Sequence, residues 1–248
     1  MGRLSASKST RGRRPGGVSS FAQYRILLAK DLRQELRTKE MVVSMGVYAL
    51  LVIVVFGVAL SFARPGDEFL EVSGGLLWAL IVFTSLLGLN RSFAAEKENG
   101  CIEGLLLAPI DRGALFLAKA TSNLVFLLVV EVVAVPLFWF FFSSFADPAP
   151  TALFAVAPII LGSVGMAGVG TLLSTITVNT RGKDVLLALL FVPVVFPLLY
   201  ACVSATTGTI VGGDAFAGAF ATSLALAGAY DAVMILASWV LYNFVVGS

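Results

Sequence analysis

The chain has 248 residues, of which 58% are hydrophobic and 13% charged, with a net charge of +2. Soluble domains carry about 25% charged residues, so the composition excludes an ordinary soluble fold and makes lipid the solvent of most side chains. Histidine is absent, which excludes a His-ligated zinc site, a Ser-His-Asp triad and His ligation of haem by this chain.

Residues 1–20 are polar and rich in Gly, Ser and Arg, and read as a disordered basic cytoplasmic tail that meets anionic lipid. In residues 21–40, Tyr24, Leu28, Leu32 and Leu36 repeat every four positions, while Arg25, Lys30, Arg33 and Arg37 fall largely off that stripe. This pattern predicts an amphipathic helix lying in the membrane interface or packed on a partner subunit. About 20 apolar residues cross the hydrocarbon. Six stretches meet that length: Met41–Phe62, Val72–Leu89, Leu115–Phe142, Leu153–Val178, Val185–Val203 and Phe216–Val246. The expected fold is all-α: a six-span bundle over residues 21–248, preceded by the interfacial helix. Pro193 and Pro197 are expected to kink the fifth span, with neighbouring helices satisfying the freed carbonyls.

Ten Lys and Arg precede the first span: Arg3, Lys8, Arg11, Arg13, Arg14, Arg25, Lys30, Arg33, Arg37 and Lys39. The first loop has Arg64; the second has Arg91, Lys97 and Arg112; the fourth has Arg181 and Lys183; the third and fifth have none. Basic and non-basic sides alternate at every crossing, which predicts cytoplasmic N- and C-termini, with the second and fourth loops on the same side. Trp139, Tyr200, Trp239 and Tyr242 are expected as interfacial aromatics, and Lys119 as a snorkelling side chain. Cys101 and Cys202 are expected as free thiols.

The second loop, RSFAAEKENGCIEGLLLAPIDR, is the longest polar connection. Ser92–Asn99 reads as a short charged helix, Gly100 as its end, Glu103–Ala108 as an apolar turn and Pro109 as its stop. Such an elbow suits docking on a cytoplasmic motor, or equally a plain connector lying on the membrane. Glu131 and Asp231 fall inside spans, where a carboxylate costs about 3 kcal/mol on insertion scales. Each reads either as a substrate or proton site or as a protonated acid bonded to a neighbouring helix. Gly162, Ser163, Gly165, Ala167, Gly168 and Gly170 make the fourth span a close-packing surface. No GxxxxGK[ST] phosphate loop occurs, so any ATP must be bound by a partner.

The stretch RSFAAEKENGCIEGLLLAPIDRGALFLAK resembles the B-type permease of the cytochrome c maturation system, the haem exporter protein B family of ABC-2-like membrane subunits. The runs KDLRQELRTKE, NTRGKDVLLALLFVPVVFPLLY and AYDAVMILASWVLYNFVV resemble the same family, so that most of residues 21–246 is covered. The resemblance implies a bacterial or archaeal plasma-membrane permease subunit with no catalytic site and no cofactor of its own. It implies a homodimer joined to an ABC ATP-binding subunit, a haem-handling membrane protein and a small accessory subunit. ATP would be bound by the partner, and haem would be a substrate of the complex. It also favours the second loop as the coupling element, with Arg91, Phe93, Glu96, Glu98, Gly100, Glu103, Gly104 and Pro109 meeting the ATPase. Glu131 and Asp231 stay open as intramembrane functional acids. A nucleic acid partner is not expected. An ABC-2 permease for a lipid, drug or polymer, a non-transporting scaffold and an ion-coupled transporter are the competing readings.

Overall fold

A computed structural model of the chain describes residues 19–62, 68–98, 111–142, 150–177, 180 and 182–245. Among them every regular element is a helix: α1 (Ser20–Thr38), α2 (Glu40–Ser61), α3 (Glu68–Glu98), α4 (Arg112–Phe142), a 3-10 turn (Pro150–Ala155), α5 (Val156–Thr177), α6 (Lys183–Val211) and α7 (Gly213–Val245). Six of these stretches are long and apolar enough to cross a membrane.

The helices are not equally enclosed. In its most apolar stretch α3 is 67% buried and the stretch containing α5 56%, against 17% for α7. These two helices form the centre. α3 touches α2, α4, α5 and α6, and α5 touches α3, α4, α6 and α7. Their composition explains the position, because α5 is dense in glycine. A Cβ at Gly162 would run into the Trp78 ring, one at Gly165 into Asp231 and Leu198, and one at Gly170 into Leu89. Small residues let neighbouring backbones approach, and with no hydrophobic drive between helices in lipid that approach is the main source of packing energy. The outer helices instead present apolar side chains outward, such as Val47, Leu51 and Val55 on α2 and Leu189 and Phe196 on α6. This is the expected surface of a bundle solvated by acyl chains.

Polar side chains within the bundle mostly close on one another. Trp78 Nε1 donates to Thr206 Oγ1 at 2.9 Å, tying α3 to α6. Hydroxyls on α5 turn back onto their own helix: Thr171 Oγ1 donates to Ala167 O at 2.7 Å and Thr177 Oγ1 to Leu173 O at 3.0 Å. α6 runs as one helix through Pro193 and Pro197, and the Tyr230 hydroxyl of α7 donates to Val194 O at 2.5 Å. A neighbouring helix thus supplies a donor beside the backbone that the prolines disturb.

Three expectations require correction. The charged segment after the second span is not a separate helix, since α3 continues unbroken to Glu98. Ala94, Ala95, Glu96, Lys97 and Glu98 are good helix formers, so nothing stops the helix before that point. The fifth span does not end at Val203: α6 continues to Val211, and α7 follows after Gly212 alone. Gly212 (φ 77) and Gly213 (φ 58) take left-handed values that permit this abrupt reversal. One of the aromatics is also not at a span end: Tyr200 lies well inside α6, whereas Tyr242 ends its span and is buried against Phe116, with ring centroids 5.3 Å apart.

If close approach at α5 holds the bundle, Gly162→Ala should lower stability in detergent by about 1–3 kcal/mol through overpacking against Trp78. Gly46→Ala on α2, where an added Cβ meets nothing within 4 Å, should shift it by no more than about 0.5 kcal/mol. Thermal unfolding of the two variants side by side measures the difference.

Candidate functional site

The second loop leaves the bundle from α3 and returns to it at Asp111. Gly100, Glu103, Gly104 and Pro109 lie outside the described residues, as do the side chains of Phe93, Glu96 and Glu98. What the structure describes is the pair of legs on which this segment stands.

The outgoing leg is the end of α3. There Arg91 Nη1 lies 2.6 Å from Glu40 Oε1, at the first residue of α2. Both side chains are well exposed, so the ion pair contributes little energy and serves mainly to set position. The returning leg is more firmly tied. Asp111 is the N-cap of α4: its Oδ1 accepts from the Gly113 N–H at 2.9 Å. Its own N–H donates to Gln23 Oε1 of α1 at 2.9 Å. A hydrogen bond from Ser20, and then the one from Gly113, hold the Asp111 carboxyl below its ordinary value of 3.8. A depressed folded value means that this cap stabilises fully above the ordinary value and is lost as pH falls through the folded one.

Two turns further along α4, Lys119 is buried. Its Nζ lies 2.7 Å from Asp31 Oδ2 of α1, with side-chain exposures of 6% and 10%. Lys30 approaches the other Asp31 oxygen at 3.2 Å, and Ser122 Oγ donates to Oδ2 at 3.4 Å. Tyr24 OH donates to Thr121 Oγ1 at 3.3 Å, and Leu27 packs into a small apolar cluster with Leu115, Phe116, Ala118, Leu172 and Tyr242. The snorkelling reading of Lys119 is therefore wrong, because the side chain is enclosed between two helices. The sequence signal was available: Asp31 is an acid on the otherwise apolar side of α1, where it needs a cation.

α1 is also fixed to α2. Lys39, with φ 55, donates its N–H to Glu35 O at 2.6 Å, and the Val42 N–H donates to Glu35 Oε1 at 2.8 Å. The α1–α2 pair thus holds both legs of the second loop at different places, Arg91 through Glu40 at the elbow and Asp111 through Gln23 at the start of α1. The spent acids leave Arg25, Arg33 and Arg37 exposed on the outer sides of α1.

The two intramembrane acids both lean on α5, at different residues. Glu131 of α4 is 4% exposed, and Ser163 Oγ lies 2.7 Å and 2.9 Å from its two oxygens. Ser163 Oγ also lies 2.8 Å from Ile159 O. A hydroxyl has one proton to give. Ser163 Oγ therefore donates either to Glu131 or to Ile159 O at any one time. Asp231 of α7 is 5% exposed, rests on Gly165, and finds no hydrogen-bond partner for either oxygen among the described residues. Neither acid meets a cation there. Cys202 is a buried free thiol, and no cluster of three or more His, Cys, Asp or Glu suited to a metal occurs among the described residues.

Removing Lys119 as Lys119→Met should cost about 3–5 kcal/mol, because Asp31 is left buried without its main counter-charge. Lys119→Met combined with Asp31→Leu should recover most of that loss. Yield of folded protein and thermal unfolding of the two variants check this.

The comparisons agree with this architecture. The model of the family described as CcmB protein matches residues 22–243. The heme exporter protein B of Rhodobacter capsulatus is 31% identical over 176 residues, covering 71% of this chain and 78% of its own. That of Pseudomonas aeruginosa is 28% identical over 177 residues, covering 71% and 77%. That of Bradyrhizobium diazoefficiens is 26% identical over 202 residues, covering 81% and 88%. With nearly all of α1 to α7 inside the matched range, this multi-pass membrane chain belongs to the CcmB protein family.

Proposed function

We propose that the chain is the transmembrane subunit of an ABC-type complex for cytochrome c maturation. It couples ATP hydrolysis on a separate subunit to haem delivery, or to release of a haem chaperone, on the far side of the membrane. The observation that carries this reading is the family match across residues 22–243, together with relatives named for heme export. The chain holds no phosphate loop of its own, so its part is that of a permease subunit driven by a partner.

In this reading the N- and C-termini and the second loop face the cytoplasm across the plasma membrane, in line with the distribution of Lys and Arg. Two copies assemble with two ATP-binding subunits, a haem-handling membrane protein and a small accessory subunit. The segment from Arg91 to Pro109 meets the ATPase. Glu96, Glu98 and Glu103 face basic groups on it, and Gly100 and Gly104 let the backbones come close. The support in the structure is mechanical. A push on the segment between Glu98 and Asp111 would be received by two legs tied to the same pair of helices, the outgoing one at the α1–α2 elbow and the returning one at the start of α1. Displacement therefore reaches α1 and α4 as a unit and not as a local bend of one loop.

The expected outcome is co-purification of an ATP-binding subunit with the full chain. Glu96→Lys combined with Glu98→Lys should reduce capture tenfold or more, and deletion of the chain should abolish c-type cytochromes. Unchanged capture by the double variant would remove the coupling role, and normal c-type cytochromes after deletion would remove the maturation role.

A further inference from the structure

α1 offers the bundle its polar side. Gln23, Tyr24, Asp31 and Glu35 bond to α2, to α4 or to the α4 cap Asp111. Leu27 is the one buried residue of the helix. At about 3.6 residues per turn, the opposite side carries Ala22, Arg25, Ile26, Ala29, Arg33 and Leu36. This is the reverse of a helix that docks by its apolar stripe: Ile26 and Leu36 stay 64% and 75% exposed. A groove of about 450 Å³ runs on this side, lined by Ala22, Arg25, Ile26, Leu28, Ala29 and Leu32. That volume falls within the range of about 300–1,000 Å³ usual for small-ligand sites. Arg25 is exposed and meets no acid among the described residues. The acids of α1 are engaged elsewhere, Asp31 by Lys119 and Glu35 by the Val42 N–H.

The setting identifies the occupant. Gln23 ties the beginning of α1 to Asp111, where α4 starts, and Lys39 alone joins its end to α2. α2 and α4 are separated by one further crossing, α3, so both start on the same face of the membrane. A helix of 19 residues is about 28 Å long, and one that bridges two span starts on one face lies along that face. In that layer apolar grooves are solvated by acyl chains, and the anions at hand are headgroup phosphates. A free anion would use Arg25 and leave the apolar lining in water. A neutral apolar ligand would leave the guanidinium unpaired. An amphiphile with a phosphate uses both, since a guanidinium takes phosphate through paired N–H donors.

We propose that this groove is a binding site for one anionic phospholipid, with its phosphate on Arg25 and an acyl chain against Ala22, Ile26, Leu28, Ala29 and Leu32. Anionic lipid is favoured over zwitterionic lipid because Arg33 and Arg37, also exposed and without an acid among the described residues, keep the surroundings positive. The bond to Arg25 is nevertheless local. Arg33 lies about 12 Å further along the axis, beyond the screening length of about 8 Å at physiological salt. The lipid fastens to the bilayer the same helix to which Asp111 is tied.

The test puts the photoreactive residue p-benzoylphenylalanine in place of Phe21, an exposed aromatic one turn from Arg25. The full chain is held with its co-purifying subunits in nanodiscs of phosphatidylcholine with a minor share of phosphatidylglycerol, and the photoadducts are identified by mass spectrometry. Phosphatidylglycerol should appear among them about fivefold above its share of the bilayer, the advantage that one arginine supplies near an anionic surface. Arg25→Gln, and Ala29→Phe, which fills the groove, should each bring it back to that share. Arg33→Gln should change the enrichment by less than about twofold. Inorganic phosphate in the buffer should leave it unchanged. Adducts that follow the bilayer composition in the chain with Arg25 and Ala29 intact, or equal losses in Arg25→Gln and Arg33→Gln, would overturn the proposal. So would competition by inorganic phosphate, or an adduct to a protein subunit in place of lipid.

Discussion

The structure depends on one constraint of the bilayer: a polar atom that enters the hydrocarbon must find its partner inside the bundle. α5 is where this constraint is met. Its glycines remove the side chains that would keep neighbours apart, so Trp78, Leu89, Leu198 and Asp231 come up to its backbone. Its hydroxyls then serve the groups that close packing brings in, Ser163 for Glu131 and Thr171 for Asn123. A stripe of larger residues on α5 would break the approach and orphan both. The small-residue composition of this helix is thus the condition for carrying Glu131 and Asn123 inside the bundle.

The same logic at the α1 end ties down the frame of the second loop. Asp31 and Lys119 are each too enclosed to stand alone, so their pairing holds α1 against α4. Asp111 and Gln23 add a neutral tie at the start of α4, and Glu35 ties α1 to α2. An amphipathic helix that only floated in the interface would need none of these contacts. Its exposed Arg25, Arg33 and Arg37 and its apolar Phe21, Ile26 and Leu36 still suit the lipid boundary. α1 is therefore both a membrane-lying helix and the part of the frame to which the second loop is fixed.

Much of this was legible in the residues. Runs such as Leu50–Phe56 leave no alternative to a span, and the glycine pattern from Gly162 to Gly170 announced close packing. Ends of helices were less legible. Residues 204–211 carry Ser, Thr and Gly, which lower hydropathy without stopping a helix, so hydropathy cut α6 short. Ala94–Glu98 is charged enough to look like a new element, yet its residues simply continue α3. Lys119 was misjudged because its depth in the span is a local property, whereas its partner Asp31 comes from a distant helix. The resemblance carried by EGLLLAPI pointed to the family that the wider match over residues 22–243 supports. That motif itself lies outside the described residues, so the legs show how it is mounted and not what it touches.

The central claim is that the segment between α3 and α4 is the surface on which an ATP-binding subunit acts. Cys101 is the natural thiol of that segment, and the chain's second thiol, Cys202, is buried in α6. A thiol-to-amine cross-linker applied to membranes holding the intact complex therefore reads the claim directly. The account predicts a cross-linked product containing the ATP-binding subunit, lost in Cys101→Ser. No product from Cys101, together with capture of the same subunit from Ser143→Cys in the next connecting segment of the sequence, would contradict it.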